Sequence, residues 1–179
     1  MTKNTPLPAV LISPADIAAR VGELATQISR DYAEVEEVIL VGVLRGAFIF
    51  LADLARRLTV PRKVDFIALS SYGSTTETRG AVRLVMDLRV NIAGRHVLVV
   101  EDIVDTGHTL RYLLDTLAAR GPKSIKSCVL VRKPAAEQVP VTVDYLGFEI
   151  PNVWAVGYGL DYQDQFRTLP YIGRVNGEP

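Results

Sequence analysis

The densest chemistry in this sequence lies in nine residues, Glu101-Asp102-Ile103-Val104-Asp105-Thr106-Gly107-His108-Thr109. They set three carboxylates, two hydroxyls and one glycine between the apolar run Val97–Val100 and a helical pattern that follows. Backbone N–H groups at a helix N-terminus have no intrahelical acceptor, and the helix dipole there favours an anion. Gly107 lets the main chain come close to a phosphate, and Thr106 and Thr109 offer it hydroxyl donors. Glu101 and Asp102 would repel a phosphate unless a cation or sugar hydroxyls lie between. Hard carboxylate oxygens suit Mg2+, which keeps several waters and takes further oxygens from its substrate. A helix cap needs only one acceptor, from Asp105 or Thr106, so capping leaves two further acids unexplained. Other phosphate motifs fail: there is no GxxxxGK[ST], and GYGLDY at Gly157 lacks the third glycine of GxGxxG.

Elements on either side must hold these residues in place. Ser13 is a good N-cap, with Pro14 at the first helical position and Asp16 in the first turn. Ile17, Val21, Leu24 and Ile28 then fall on one helical stripe. An apolar run, Val38–Leu44, leads through Arg45-Gly46 into a helical stretch, Phe48–Leu58, that ends before Pro61. Strand candidates Val64–Ser71 and Val82–Leu88 flank the polar loop Ser71–Gly80. After Val97–Val100, a helix carries Leu110, Leu113, Leu114 and Leu117 on one face and stops at Gly121-Pro122. Ile125–Val131, Val141–Phe148 and Val153–Val156 complete the strands. The runs at 38–44 and 97–100 are continuously apolar and 125–131 is so from Cys128 on, which fits strands buried on both faces and joined by helical crossovers. The architecture predicted is α/β with a parallel sheet. Ligands in such sheets bind beyond the carboxyl ends of the strands, which here means after Leu44, Val100 and Val131.

Composition narrows the function. A chain of 179 residues, 49% apolar, is one domain's worth of sequence and not a disordered segment. Its 20 basic and 20 acidic side chains cancel, which argues against a bulk-electrostatic grip on nucleic acid. The single cysteine, Cys128, has no partner for an internal bridge, and two histidines do not make a zinc site. The N-terminal apolar stretch is short and broken by Pro8, unlike a signal peptide, and no run approaches a membrane span. A cytoplasmic protein with no membrane partner is expected.

The segment VLVVEDIVDTGHTL, Val97 to Leu110, closely resembles the phosphoribosyl-pyrophosphate signature of type I phosphoribosyltransferases. LRGAFIFLADLARRL resembles that family's pyrophosphate loop and following helix, and SSYGSTTETRG its mobile hood. FEIPNVWAVGYGLDYQDQFRTLPYIG resembles the C-terminal segment of the hypoxanthine-guanine members, so the likeness covers about residues 35 to 173. The resemblance implies the type I phosphoribosyltransferase fold: a central, mostly parallel twisted sheet flanked by helices, with a mobile hood loop and a small base-binding subdomain. It implies a single domain over residues 1–179, its hood formed by N- and C-terminal segments. The reaction implied joins hypoxanthine or guanine to phosphoribosyl pyrophosphate, giving IMP or GMP and pyrophosphate.

By the same resemblance, Glu101 and Asp102 hold the ribose hydroxyls and a magnesium ion. Adjacent side chains on a regular strand point to opposite faces, so their joint service predicts a break in extended geometry at this point. Asp105 is implied as the general base beside N7 of the purine. Ile103, Val104, Thr106, Gly107, His108 and Thr109 complete the sugar-phosphate segment. Lys133 is implied to donate to the 6-oxo oxygen, with the adjacent Arg132 as the competing choice. An ammonium has only donors, so the amino group of adenine would face it unpaired. Trp154 is implied to stack on the purine, with Ala155 offering backbone groups beside it. Asp161 is implied as a further magnesium ligand and Arg167 as a pyrophosphate contact. Arg45 and Gly46 are implied to bind pyrophosphate, in a loop where the family often has a cis peptide. Ser71 and Tyr72 are implied to close over the reaction centre as a lid.

Two departures stand out. His108 occupies a place where relatives often carry lysine, and LRGA replaces the more familiar Leu-Lys-Gly. Three rivals share parts of this pattern. A uracil-type phosphoribosyltransferase with an RNA-binding regulatory role usually has tyrosine at position 105, and a pyrimidine has no N7 proton to remove. A non-catalytic sensor would be expected to lose Asp105, Lys133 or the lid. A related enzyme for xanthine or adenine is the third: the Trp154–Asp161 arrangement favours hypoxanthine and guanine, and residue identities alone leave xanthine open. Relatives form homodimers or homotetramers, and either is expected here. The 101–109 segment holds three acids and no lysine or arginine, so strict magnesium dependence is expected.

Overall fold

In a computed structural model describing residues 7–72 and 81–175, the continuously apolar runs become the centre of a six-stranded sheet. In chain order the elements are β1 (Ala9–Ile12), α1 (Pro14–Asp31), β2 (Val38–Leu44), α2 (Phe48–Arg57) and β3 (Arg62–Tyr72). Next come β4 (Ala81–Met86), β5 (His96–Val104), α3 (His108–Ala118) and β6 (Ser124–Arg132). A 3-10 turn at Pro134–Ala136, then β7 (Tyr145–Glu149), β8 (Trp154–Val156) and β9 (Ile172–Val175) complete the chain. The large sheet has the order β4-β3-β2-β5-β6-β7, all parallel except the antiparallel edge strand β4.

The two-residue period of a strand explains why β2, the 97–100 part of β5 and the 128–131 part of β6 carry no polar residues. Leu40, Leu98, Val100 and Leu130 pack with Ile17, Val21, Leu24 and Ile28 of α1 and with Phe50, Leu51 and Leu54 of α2. Their alternates Ile39, Val41, Val97, Val99 and Val129 pack on the other face against Leu110, Leu113 and Leu117 of α3. Both faces are covered, so both sets must be apolar. The first helix forms as its sequence predicts: the Ser13 hydroxyl accepts the Asp16 N–H at 3.2 Å, and all four stripe residues are buried. Arg20 donates to the carbonyls of Leu146 and Gly147, which ties α1 to the edge strand β7.

Several features differ from expectation. The central strand β5 runs four residues past Val100, through Glu101 and Asp102 to Val104. Its register with β2 ends at Gly42–Val100, while β6 continues beside it to the Val104–Arg132 pair. The extended geometry therefore does not break where it was expected to. The strand expected over 141–148 begins only at Tyr145. Upstream of it Asp144 accepts from the Ser127 N–H at 2.8 Å and Thr142 O from the Ser127 hydroxyl at 3.1 Å, so side chains replace the ladder there. Beyond the large sheet, β1, β9 and β8 form a small antiparallel sheet. Neither β1 nor β9, four residues each, stands out as a strand in the sequence. Of the expected lid, Ser71 and Tyr72 end β3 opposite Val82 and Ala81, and the rest of the loop lies outside the described residues. Among the described residues no helix is long and apolar enough to cross a membrane.

Candidate active site

At the carboxyl end of the sheet the β2–β5 pairing stops at Gly42–Val100, β2 itself ends at Leu44, and the Leu44–Arg45 peptide is cis. Past Val100 no further β2–β5 pair forms. A cleft of about 620 Å3 opens there, and its lining includes Arg45, Gly46, Glu101, Asp102, Thr109, Asp161 and Arg167. Both adjacent acids line it, although they belong to one continuous strand.

The two acids differ in setting. Glu101 is 5% exposed; its Oε1 accepts the Asp102 N–H at 3.2 Å and its buried Oε2 has no hydrogen-bond partner. Burial, with the neighbouring Asp102 adding to it, raises the Glu101 carboxyl well above the usual glutamate range. Asp102 is half-buried and lies against Gly46, where any Cβ would collide with its carboxylate. Glycine at 46 therefore lets the Arg45–Gly46 loop and the strand-end acids share one wall.

The turn from β5 into α3 builds a second, smaller hollow of about 180 Å3 lined by Glu101 to Gly107, Thr109 and Leu110. Gly107 caps α3 with φ of 88° and no side-chain bond. That left-handed conformation suits glycine, and a Cβ here would strike the Val139 carbonyl. The Gln138 and Val139 N–H groups both donate to Thr106 O at 3.0 Å, which pins the turn to the loop after β6. The first-turn N–H groups of α3 are left for an anion. Val104 is buried in the core, and Lys133 N–H donates to its carbonyl at 2.9 Å; Ile103 packs against the core on the other face. What either residue offers a ligand is backbone. His108 is the first residue of α3 and is half-buried.

Lys133 is 2% exposed, yet its Nζ lies 2.9 Å from Asp105 Oδ2 and 5.9 Å from the centre of the Trp154 ring. Trp154, 37% exposed, meets Tyr162 edge to face at 5.6 Å, and Ala155 beside it is buried. The neighbouring Arg132 is occupied differently: its guanidinium donates twice to Glu137 Oε2, and Glu137 Oε1 accepts the Val141 N–H. That hydrogen bond from Arg132 holds Glu137 below the usual glutamate range. The ammonium beside Asp105 is thus the one from Lys133.

On the far wall, Arg167 donates to the Gly159 carbonyl at 2.9 Å and pairs with Asp161 at 2.6 Å and Asp164 at 3.1 Å. Asp164 also takes Arg45 at 2.5 Å, and its carboxyl is held below the usual range, first by the Arg167 hydrogen bond. Sequence reasoning missed Asp164 and Glu137. The acid three residues after Asp161 was a usable signal for the first; nothing in the sequence marks the second.

Residues 13–163 match the family model described as the phosphoribosyl transferase domain. The hypoxanthine-guanine phosphoribosyltransferase of Dictyostelium discoideum is 43% identical over 172 residues, covering 94% of this chain and 96% of the relative. The hypoxanthine phosphoribosyltransferase of Escherichia coli is 46% identical over 167 residues, covering 93% and 94%. A crystal structure of a hypoxanthine-guanine phosphoribosyltransferase from Bacillus anthracis superposes with a TM-score of 0.89 at 45% identity, covering 95% of this chain and 99% of that one.

Proposed function

The chain belongs to the phosphoribosyl transferase domain family, and from that premise we propose that it moves the 5-phosphoribosyl group from phosphoribosyl pyrophosphate to hypoxanthine or guanine, releasing pyrophosphate. The observation that carries this reading is the buried Lys133 ammonium between the Asp105 carboxylate and the Trp154 ring.

A 6-oxopurine lying on Trp154 brings its oxo oxygen to Lys133, which donates to it, and its ring N–H to Asp105, which accepts the proton as base. An amino group in place of the oxygen would leave the lysine donors and the amino hydrogens facing each other unpaired. The Asp105–Thr109 turn receives the 5′-phosphate through N–H groups and hydroxyls. Arg45, Gly46 and Arg167 receive the pyrophosphate, Arg167 through a planar fork suited to phosphate oxygens. Ser71 and Tyr72 would close over the reaction centre and keep water from the activated sugar.

The donor set also fits a magnesium ion. Glu101 supplies a buried, unpartnered carboxylate oxygen beside Asp102, and among the described residues no cluster of three or more ligating side chains exists. Two carboxylates plus substrate oxygens suit Mg2+ better than an all-protein cage would. When bound there, the ion would neutralise charge between the strand-end acids and phosphoribosyl pyrophosphate; Asp161 is a candidate for a second such contact near the pyrophosphate.

The deciding experiment offers the protein magnesium, phosphoribosyl pyrophosphate and each of hypoxanthine, guanine, xanthine, adenine and uracil. Nucleotide formation from hypoxanthine and guanine, lost with a chelator, is expected. Turnover of uracil alone would overturn the purine reading, and no turnover of any base would make the protein a binding module.

A further inference from the structure

Asp164 presents one carboxylate oxygen, Oδ1, to two guanidiniums that come from different parts of the chain. Arg45 reaches it from the loop after β2 at 2.5 Å, and Arg167 from the C-terminal segment at 3.1 Å. One anionic oxygen between two guanidiniums is the arrangement a phosphate oxygen would take in the same cleft. The backbone is bent to deliver it. Gln163, Asp164 and Phe166 have φ of 53°, 60° and 72°, a left-handed stretch with no glycine in it. Such conformations are unfavourable for most side chains and persist where the surroundings enforce them. Aspartate and asparagine bear them best. The Asp164 N–H donates to Asp161 Oδ2 at 2.7 Å, which closes the turn and fixes where the carboxylate points.

The pairs are easily exchanged. The Asp164 side chain is 63% exposed and that of Arg45 68%. An exposed ion pair shifts an equilibrium by only about fivefold at most, so the two pairs of Asp164 together shift it by about 25-fold at most. Arg167, by contrast, is 19% exposed and keeps two further acceptors, Gly159 O and Asp161, so it stays in place when Asp164 lets go.

We propose that Asp164 is a built-in substitute for a pyrophosphate oxygen: it holds Arg45 and Arg167 in position when no ligand is bound and competes with pyrophosphate for them. The proposal rests on the reading of Arg45 and Arg167 as pyrophosphate contacts. Asp164 is then a positioning residue whose carboxylate weakens pyrophosphate binding and so favours product release. The proton balance of the reaction is untouched, because Asp164 only exchanges hydrogen-bond partners.

Calorimetric titration of the full chain with pyrophosphate in the presence of magnesium tests this. Asp164→Asn keeps a residue tolerant of the left-handed backbone and removes the charge; Asp164→Ser removes both charge and reach and serves if the first variant folds poorly. Both are expected to bind pyrophosphate roughly three- to twentyfold more tightly than the parent protein, the serine variant at least as tightly as the asparagine one. Product inhibition by pyrophosphate should strengthen by the same factor and the KM for phosphoribosyl pyrophosphate should fall, a direction that mere loss of structure would not produce. Unchanged or weaker pyrophosphate binding in both variants overturns the proposal. Arg167→Ala separates it from its premise. If that variant binds pyrophosphate as well as the parent, the pyrophosphate reading of Arg167 itself fails; if it binds more weakly while the Asp164 variants gain nothing, only the role of Asp164 fails.

Discussion

Glu101 and Asp102 at the end of β5 share a cleft with Asp161 and with the arginines that Asp164 pairs, and the two sets of acids sit under opposite electrostatic terms. Glu101 is buried and adjacent to another carboxylate, and one of its oxygens has no partner. Asp161 and Asp164 are each paired with arginine, and Asp164 is the more exposed. The first pair lacks a positive partner among the described residues; the second already has one, which on the proposal above it gives up when an anionic ligand arrives. Asp105 stands between these cases, 45% exposed but held by an almost fully buried ammonium. One site therefore treats the same functional group in three ways. Each suits a different role, whether holding a cation, yielding arginines to phosphate, or accepting a proton.

Substitutions separate these roles, beginning with the largest effect. Asp105→Asn removes the proton acceptor and should lower kcat for hypoxanthine by about 10²–10⁴-fold. A turnover within a few fold of the parent would show that the proton goes elsewhere. Lys133→Ala deletes the buried donor and leaves a polar base unpaired, a loss of about 1–3 kcal/mol, or roughly 10–100-fold in kcat/KM for hypoxanthine. Arg132→Ala, whose guanidinium is spent on Glu137, should change kcat/KM by much less. The reverse order of the two effects would transfer the base-reading role to Arg132.

Glu101→Gln probes the bare carboxylate directly. Its raised pKa means that the folded state prefers the protonated form. The parent protein without metal is then best served below the ordinary glutamate range and loses stability as pH climbs from there toward the raised value. Melting in chelator should show Glu101→Gln a few degrees above the parent at pH 8 and close to it at pH 5, while magnesium-dependent activity drops. A melting difference independent of pH would mean that Glu101 is ionised without cost. The smallest effect belongs to a surface pair of the arginine-neutralised kind. Asp87 is held below its usual range by the Arg120 hydrogen bond, so its contribution has the opposite sign: present above the ordinary aspartate range and lost as pH falls. Asp87→Asn should cost at most about 0.5 kcal/mol at pH 7, about 1–2 °C in Tm. A loss several times larger would show that exposed pairs in this fold carry more than screening normally allows.

The elements were legible wherever a local pattern met a local cause. Ser13, Pro14 and the stripe from Ile17 to Ile28 specify α1 without reference to anything distant. The runs that became β2, β5 and β6 announce burial on two faces, and hence a parallel sheet with helices on both sides. Short antiparallel strands were not legible: β1 is a strand only by pairing with β9, more than 150 residues away, and β9 in turn lies between β1 and β8. The extension of β5 through Glu101 and Asp102 was hidden for a similar reason, since its polar end reads as a loop until β6 is placed beside it.

For the site, the sequence by itself determined which groups are present and that they gather after strand ends, because residue type and spacing along one turn are covalent facts. The choice of Lys133 over Arg132 was decided only in three dimensions, by Glu137 claiming the arginine and Asp105 facing the lysine. The same holds for the bare oxygen of Glu101 and for Asp164 bridging two arginines that stand 122 residues apart in the chain. Burial and charge pairing depend on which distant segments meet, and those meetings fix the energy of a carboxylate far more than its neighbours in sequence do.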